Sequence, residues 1–146
     1  MHIRRFQPDD QDSARQLILQ GLGEHFGFIN ETMNPDLDDI ASTYLTSRSN
    51  FLIAEHDGEI VGTLGPLFER AGEARIVRMS VDTKHRRLGI GTSLVRRAVE
   101  LCLAAGTSTL WARTQPEWKD ALSFYLNAQF VQKGRDEEDV HLCREL

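Results

Sequence analysis

The sequence predicts an α/β fold with a mixed, mostly antiparallel sheet of about seven strands and helices on both faces. Asp57-Gly58, between the apolar runs 51–55 and 59–64, is the strongest short hairpin signal in the chain. Residues 76–81 form another apolar, β-branched run, from which a basic glycine turn leads into an amphipathic helix. Residues 107–112 are typical of a strand, and a right-handed crossover makes the fourth and fifth strands a parallel pair.

The N-terminal part of the chain predicts a short strand and two helices. The strand covers residues 2–6, and Pro8-Asp9-Asp10 ends it and supplies a cap for the first helix. Glycines, asparagines and a proline predict a looser segment between residues 21 and 35, before a second short helix at about 36–45. The buried face of the first helix is marked by apolar or small residues at helical spacing: Ala14, Leu17, Ile18, Gly21 and Leu22.

The remaining elements complete the sheet. A turn at residues 70–72 joins the third strand to the fourth. A last helix is predicted from 117 to 127, and the runs 130–133 and 139–144 form a final hairpin. No linker or repeat interrupts the chain, so residues 1–146 are predicted to form one domain.

Composition limits the class of protein. Hydrophobic residues make up 40% of the chain and charged residues 27%, the balance of a soluble globule, and the net charge of −5 argues against nucleic acid or an anionic membrane as the main partner. No long apolar segment follows the N-terminus, so we expect no signal peptide or membrane span, and a cytoplasmic location. Cys102 and Cys143 are expected to be free thiols, and the scattered histidines predict no metal site.

The turn after strand 76–81 has the chemistry of an anion site. Backbone N–H groups in the first turn of a helix lack intrahelical acceptors, and the peptide dipoles place partial positive charge there. Gly89 and Gly91 have no side chain to keep a phosphate oxygen away from the amides of residues 88–92. Positive charge is concentrated at the same place, on Lys84, His85, Arg86 and Arg87. The predicted ligand is a phosphate, and more specifically a diphosphate.

Two common phosphate motifs do not match this turn. A Walker A loop would end in Gly-Lys-Ser or Gly-Lys-Thr, and the dinucleotide fingerprint would need a third glycine at Leu94. Arg-x-x-Gly-x-Gly at residues 86–91, after a strand and opening an amphipathic helix, resembles the acetyl-CoA pyrophosphate loop of the GNAT superfamily of N-acetyltransferases. The resemblance implies acetyl-CoA as co-substrate, held by the fourth strand and the loop through Met79, Val81, Arg86, Arg87, Leu88, Gly89, Ile90, Gly91 and Thr92.

The last helix carries a second resemblance to this family. The family often shows Asn-x-x-Ala-x-x-x-Tyr-x-x-x-Gly-Phe; Ala121, Tyr125 and Phe130 match it, whereas Trp118 and Gln129 replace the Asn and the Gly. The match implies that Tyr125 is catalytic, as the acid that protonates the departing CoA thiolate. The alternative is a core tyrosine whose hydroxyl bonds a nearby carbonyl.

The segment from Gln16 to Ser47 contains five carboxylates and no Lys or Arg, so it would attract a cation. Aromatic faces beside a carboxylate suit an amine or ammonium group, and Glu24, His25 and Phe28 are therefore the predicted contacts to the acceptor. The alternative is a solvated acidic surface whose carboxylates cap the second helix.

The family resemblance implies an N-acetyltransferase that transfers the acetyl group of acetyl-CoA to a primary amine of a small molecule or peptide by direct attack. Homodimers are common in the family. Some members use a Glu of the fourth strand as general base, but Arg75 stands there, so the base is unassigned. The alternative function is an acyl-CoA-binding regulatory module without turnover, which needs the loop but not Tyr125.

Overall fold

The computed structural model describes residues 1–26, 34–46, 49–86 and 88–146, with only the backbone of His25 and Phe26. Within these residues seven strands form one sheet in the order β1-β2-β3-β4-β5-β7-β6. The strands are β1 (His2–Arg5), β2 (Leu52–His56), β3 (Glu59–Arg70), β4 (Glu73–Val81), β5 (Thr109–Thr114), β6 (Val131–Arg135) and β7 (Val140–Glu145). The α-helices are α1 (Gln11–Phe26), α2 (Ile40–Tyr44), α3 (Ile90–Ala104) and α4 (Lys119–Asn127).

Strand pairing confirms the predicted fold class. Neighbouring strands are antiparallel except β4 and β5, which are parallel. The predicted hairpin joins β2 to β3, with φ of 51° at Asp57 and 80° at Gly58. Two consecutive left-handed residues are what a tight two-residue hairpin requires, which explains the Asp-Gly pair.

The two faces of the sheet carry separate hydrophobic cores. Alternate residues of a strand point to opposite faces, so Leu52 packs in the core beneath α3 and α4 whereas Ile53 packs beneath α1 and α2. In α3 the fully buried residues Leu94, Ala98 and Cys102 follow the predicted helical spacing. The helices therefore cover both faces, as the sequence predicts.

The first helix is longer than the sequence predicts. We expected a loose segment from residue 21, but α1 continues through Gly21 and Gly23 to Phe26. A Cβ added to Gly21 would lie 2.8 Å from Ser80 Oγ, so this glycine allows α1 to approach β4 closely. A glycine inside a helix costs only about 1 kcal/mol relative to alanine. The packing of α1 against β4 outweighs this cost. The rest of the predicted loose segment, residues 27–33, lies outside the described residues.

The other boundaries differ by a few residues. The predicted helix 36–45 is a 3₁₀ turn at Pro35–Asp38 followed by α2, which Asp39 caps by accepting a hydrogen bond from Ser42 N at 3.1 Å. The predicted strand 107–112 begins later, because Thr107 N donates to Cys102 O at the end of α3. Cys102 and Cys143 are buried free thiols, and burial raises the pKa of Cys102 to about 11. No helix in the described residues is long and apolar enough to cross a membrane.

Candidate active site

The sheet parts between β4 and β5. The two strands pair over Glu73–Arg75 and Thr109–Trp111, and Arg75 opposite Trp111 is their last pair. Beyond it β4 continues to Val81, and no described strand pairs with residues 76–81 on that side. The gap therefore leaves backbone N–H and C=O groups of β4 available to an extended ligand.

A bulge bends β4 at the start of this gap. Arg78 has a φ of 50°, which costs a non-glycine residue about 1 kcal/mol or more, and the pairing with β3 shifts register between Thr63 and Gly65. The Thr63 hydroxyl donates to the Arg78 carbonyl at 2.8 Å. Because of the bulge, Val77 packs in the core beneath α1 and α2, whereas Met79 packs beneath α3 and α4.

Arg78 anchors the bulge to the segment before α2. Its Nε and Nη2 atoms donate to the two oxygens of Asp36 at 2.9 and 2.7 Å, and Nη2 also donates to Asn34 at 3.1 Å. Asp36 accepts a further bond from the Tyr44 hydroxyl at 2.5 Å. Burial and this carboxylate raise the pKa of Tyr44 to about 12. Arg78 is not among the site residues that the sequence predicts, although an arginine in the middle of an apolar strand is a signal for a buried polar contact.

The glycine turn has the geometry of an anion site. Gly89 adopts a φ of 80° at the start of α3, and its carbonyl accepts the hydrogen bond of Ser93 N at 3.0 Å. The N–H groups of Ile90, Gly91 and Thr92 belong to the first helical turn, where no intrahelical acceptor exists. Leu88 is 67% exposed, whereas the buried Ile90 anchors the turn to the core. This arrangement fits a diphosphate.

Gly91 has a second role. A Cβ there would lie 3.0 Å from Phe124 Cε1 and 3.2 Å from Met79 Cε, so its absence lets the first turn of α3 pack against α4 and β4. Met79, Gly91 and the α4 side chains consequently meet beside the gap. The structure thus brings together the predicted loop and the predicted strand residues; Arg87 lies outside the described residues.

Glu24 connects α1 to the glycine turn. Its carboxylate lies 2.8 Å from Arg86 Nη2, and it also accepts a hydrogen bond from the Thr83 hydroxyl. Glu24, predicted as an acceptor contact, is therefore paired with a predicted cofactor contact. The other two predicted acceptor contacts, the His25 side chain and Phe28, lie outside the described residues.

The other described carboxylates of the acidic segment are also engaged within the protein. Asp36 binds Arg78, Asp38 lies 3.5 Å from Arg15, and Asp39 caps α2. Glu31 lies outside the described residues. Asp39 thus caps the second helix, as the alternative interpretation has it, whereas the ion pairs of Asp36 and Asp38 are not predicted by the sequence. No group of three or more His, Cys, Asp and Glu side chains in the described ranges is arranged to hold a metal ion.

Tyr125 lies on α4 beside the gap and is 7% exposed. Its hydroxyl donates to Met79 Sδ at 3.5 Å, and its ring packs edge-on against Phe124 and Phe130. Burial raises the pKa of Tyr125 well above its usual value, so the hydroxyl keeps its proton at neutral pH. A thioether is a weak acceptor, and the hydroxyl therefore has little to lose by donating to another sulfur.

The chain belongs to the acetyltransferase (GNAT) family, whose sequence model matches residues 16–130. N-acetyltransferase 8 of Rattus norvegicus is 29% identical over 119 residues, which are 77% of this chain and 54% of that protein. The chain thus spans about half the length of the relatives it matches.

Two solved structures share the fold over nearly the whole chain. The GNAT acetyltransferase of Staphylococcus aureus Mu50 superposes with a TM-score of 0.90 at 23% identity, covering 99% of this chain and 98% of that one. The PaiA N-acetyltransferase of Thermoplasma acidophilum, in complex with coenzyme A, gives 0.88 at 16% identity with the same coverage. At these identities the likeness establishes the fold.

Proposed function

We propose that this protein is an acetyl-CoA-dependent N-acetyltransferase acting on a primary amine of a small molecule or peptide. The observation that carries the proposal is the gap beyond the Arg75–Trp111 pair, with the buried Tyr125 hydroxyl beside it and the glycine turn near it. Family membership supports the same reaction, because GNAT proteins use an acetyl thioester of coenzyme A.

The residues present suit the two parts of the cofactor. The backbone of β4 at Met79 and Val81, which no described strand pairs on the side of the gap, offers hydrogen bonds to an amide-bearing arm, as a neighbouring strand would. The N–H groups of residues 88–92 and the positive charge of Arg86 and Arg87 suit the diphosphate. When bound, acetyl-CoA supplies an activated thioester.

Tyr125 acts as the general acid in this proposal. The amine nitrogen forms the bond to the acetyl carbon, the carbon–sulfur bond breaks, and the amine gives up a proton to solvent or to a base. The Tyr125 hydroxyl, which carries its proton at neutral pH, donates that proton to the departing sulfur. Arg75 cannot act as a base, so the amine enters in its neutral form or loses its proton to water or to another, unassigned side chain.

An acyl-CoA-binding module without turnover is the second candidate. It is favoured by one observation, that Arg75 stands where some members have a carboxylate base. The Tyr125 hydroxyl argues against it, because a binding module has no use for a buried proton donor whose hydrogen-bond partner among the described residues is a thioether.

Thiol release from acetyl-CoA, measured with a panel of primary amines and checked by mass spectrometry of the acetylated amine, separates the two candidates. Amine-dependent release with one acetylated product per thiol supports the transferase. Tight acetyl-CoA binding without amine-dependent release supports the binding module. Failure to bind acetyl-CoA at all contradicts both.

A further inference from the structure

A groove of about 330 Å³ opens where β4 leaves β5. It lies at the last pair of these strands and extends over β5 and β7. Its walls are polar and charged around one indole, and the residues that define it are Glu69, Glu73, Arg75, Trp111, Arg113 and His141.

The groove lies on the face of the sheet that carries α1 and α2. Val77 packs in the core of that face, and Arg75, two residues before it in regular strand, points the same way. Met79 and Tyr125 lie on the opposite face, because the bulge at Arg78 intervenes. A substrate in the groove therefore reaches the gap from the face opposite Tyr125.

Arg75 has unused hydrogen-bonding capacity in this groove. Its side chain is 24% exposed, and its Nε lies 3.0 Å from Glu69 Oε1 without directing its N–H at that oxygen. Nε is thus a buried donor that lacks a hydrogen-bond partner among the described residues. A guanidinium is always charged and matches the two oxygens of a carboxylate, so Arg75 is suited to bind an acid.

The neighbouring side chains point to the same ligand. Glu73 already has a basic partner in the protein, Arg70 at 3.2 Å, whereas Glu69 lies beside Arg75 and would share that guanidinium with a bound acid. Glu73 also accepts the Trp111 indole N–H at 3.2 Å, which fixes the ring. Arg113 is half exposed, and its only ionic contact within the described ranges is a long one of 3.6 Å to Asp139.

We propose that the acceptor is an amine that carries a carboxylate, bound by Arg75 with help from Arg113 and packed against Trp111. This inference rests on the proposed transferase function and names its substrate class. It differs from the cationic acceptor that the acidic segment predicts, because the described carboxylates of that segment are engaged within the protein.

The test compares L-phenylalanine, L-phenylalaninamide, 2-phenylethylamine and spermidine as acceptors, with kcat/KM expressed per neutral primary amine. The first three share an aromatic ring and differ in the carboxylate. We expect phenylalanine to exceed the other three by about 10-fold or more, the order of one charge-assisted contact. Arg75→Gln should remove this preference by lowering kcat/KM for phenylalanine to about that for phenylalaninamide, whereas its apparent affinity for acetyl-CoA should stay within about 2-fold of wild type.

Matched variants keep the result interpretable. Arg97→Gln on α3, an exposed arginine paired with Glu100, should leave the preference intact. Arg113→Gln should also reduce the preference for phenylalanine, by a smaller factor than Arg75→Gln. Because Arg113 is half exposed, this variant provides the test even if Arg75→Gln folds poorly. Equal or better use of 2-phenylethylamine or spermidine by the wild type overturns this inference and leaves the transferase function standing. Absence of turnover with every amine overturns both.

Discussion

Glu24 and Arg86 form an ion pair of 2.8 Å that joins the end of α1 to the turn before α3. Arg86 is also the first residue of the phosphate-binding pattern. In the proposed function the Glu24 carboxylate and the diphosphate of coenzyme A, both anions, would compete for the Arg86 guanidinium.

Glu24→Gln should therefore strengthen coenzyme A binding. Removal of the carboxylate frees Arg86 and takes a negative charge away from the phosphates. Because an exposed ion pair contributes little free energy, we expect the affinity for coenzyme A to rise by about 2- to 5-fold. Calorimetric titration at low and high salt measures the affinity for coenzyme A. The gain in affinity should shrink at high salt, because salt screens the charges. Glu100→Gln, on the exposed side of α3, is the control. Weaker binding would mean instead that Glu24 holds Arg86 in position.

Thr92→Glu should weaken coenzyme A binding without harming the fold. Thr92 is exposed at the third position of α3, where a carboxylate interacts favourably with the helix dipole but repels a diphosphate. We expect affinity to fall by about 10-fold or more while the melting temperature stays equal or rises. Thr92→Gln, of the same size but neutral, should bind nearly normally. A substitution at Gly91 is a poorer probe, because its Cβ would crowd Phe124.

Tyr125→Phe should lower turnover by about 10-fold or more, with acetyl-CoA affinity and melting temperature little changed. Only the hydroxyl is lost, and its partner is the weakly accepting Met79 sulfur. Tyr44→Phe is the matched control, because it removes a hydroxyl that donates to a carboxylate, Asp36. That variant should lose stability. Full activity in Tyr125→Phe would refute the acid role even if acetyl transfer itself is observed.

The Asp36–Arg78 pair predicts a pH dependence of stability. Burial opposes ionisation of Asp36, but hydrogen bonds from Arg78 and Tyr44 outweigh it and lower the pKa of Asp36 below its ordinary 3.8. The stability that ionised Asp36 contributes to the folded protein is therefore fully present above about pH 4. It is lost as the pH falls through the lower pKa that Asp36 has in the folded state. Asp36→Asn should unfold more easily in urea at pH 7 and lose less stability on acidification. Asp38→Asn, at an exposed carboxylate, should follow the wild-type curve.

Arg78→Gly and Arg78→Ala separate the ion pair from the backbone conformation. Both remove the contact to Asp36, but glycine tolerates a φ of 50° and alanine does not. We expect the glycine variant to be the more stable by about 1 kcal/mol in urea unfolding. This order is the reverse of that in an ordinary strand, where glycine is the weaker residue. The ordinary order would show that the bulge relaxes once the arginine is gone.

Local signals in the sequence predicted most of the sheet. Asp57-Gly58 specifies its own turn, and the glycine turn before α3 needs only neighbouring residues to form. Gly21 was misleading because its use, contact with Ser80, depends on a strand far along the chain. The bulge at Arg78 depends likewise on the register of β3, and the Glu24–Arg86 pair on the position of α1 over β4. The features that the sequence did not predict all depend on contacts between residues that are far apart in the chain.

The parted strands give the described sheet two further edges, on β4 and β5, which face each other in its middle. Edges with free N–H and C=O groups recruit other strands, and proteins usually protect them. In the proposed function this protection is the task of acetyl-CoA, which adds stability by mass action as its concentration rises. The cofactor would then act as a folding partner as well as a reactant, and the supply of acetyl-CoA would set how much of this protein escapes aggregation and proteolysis.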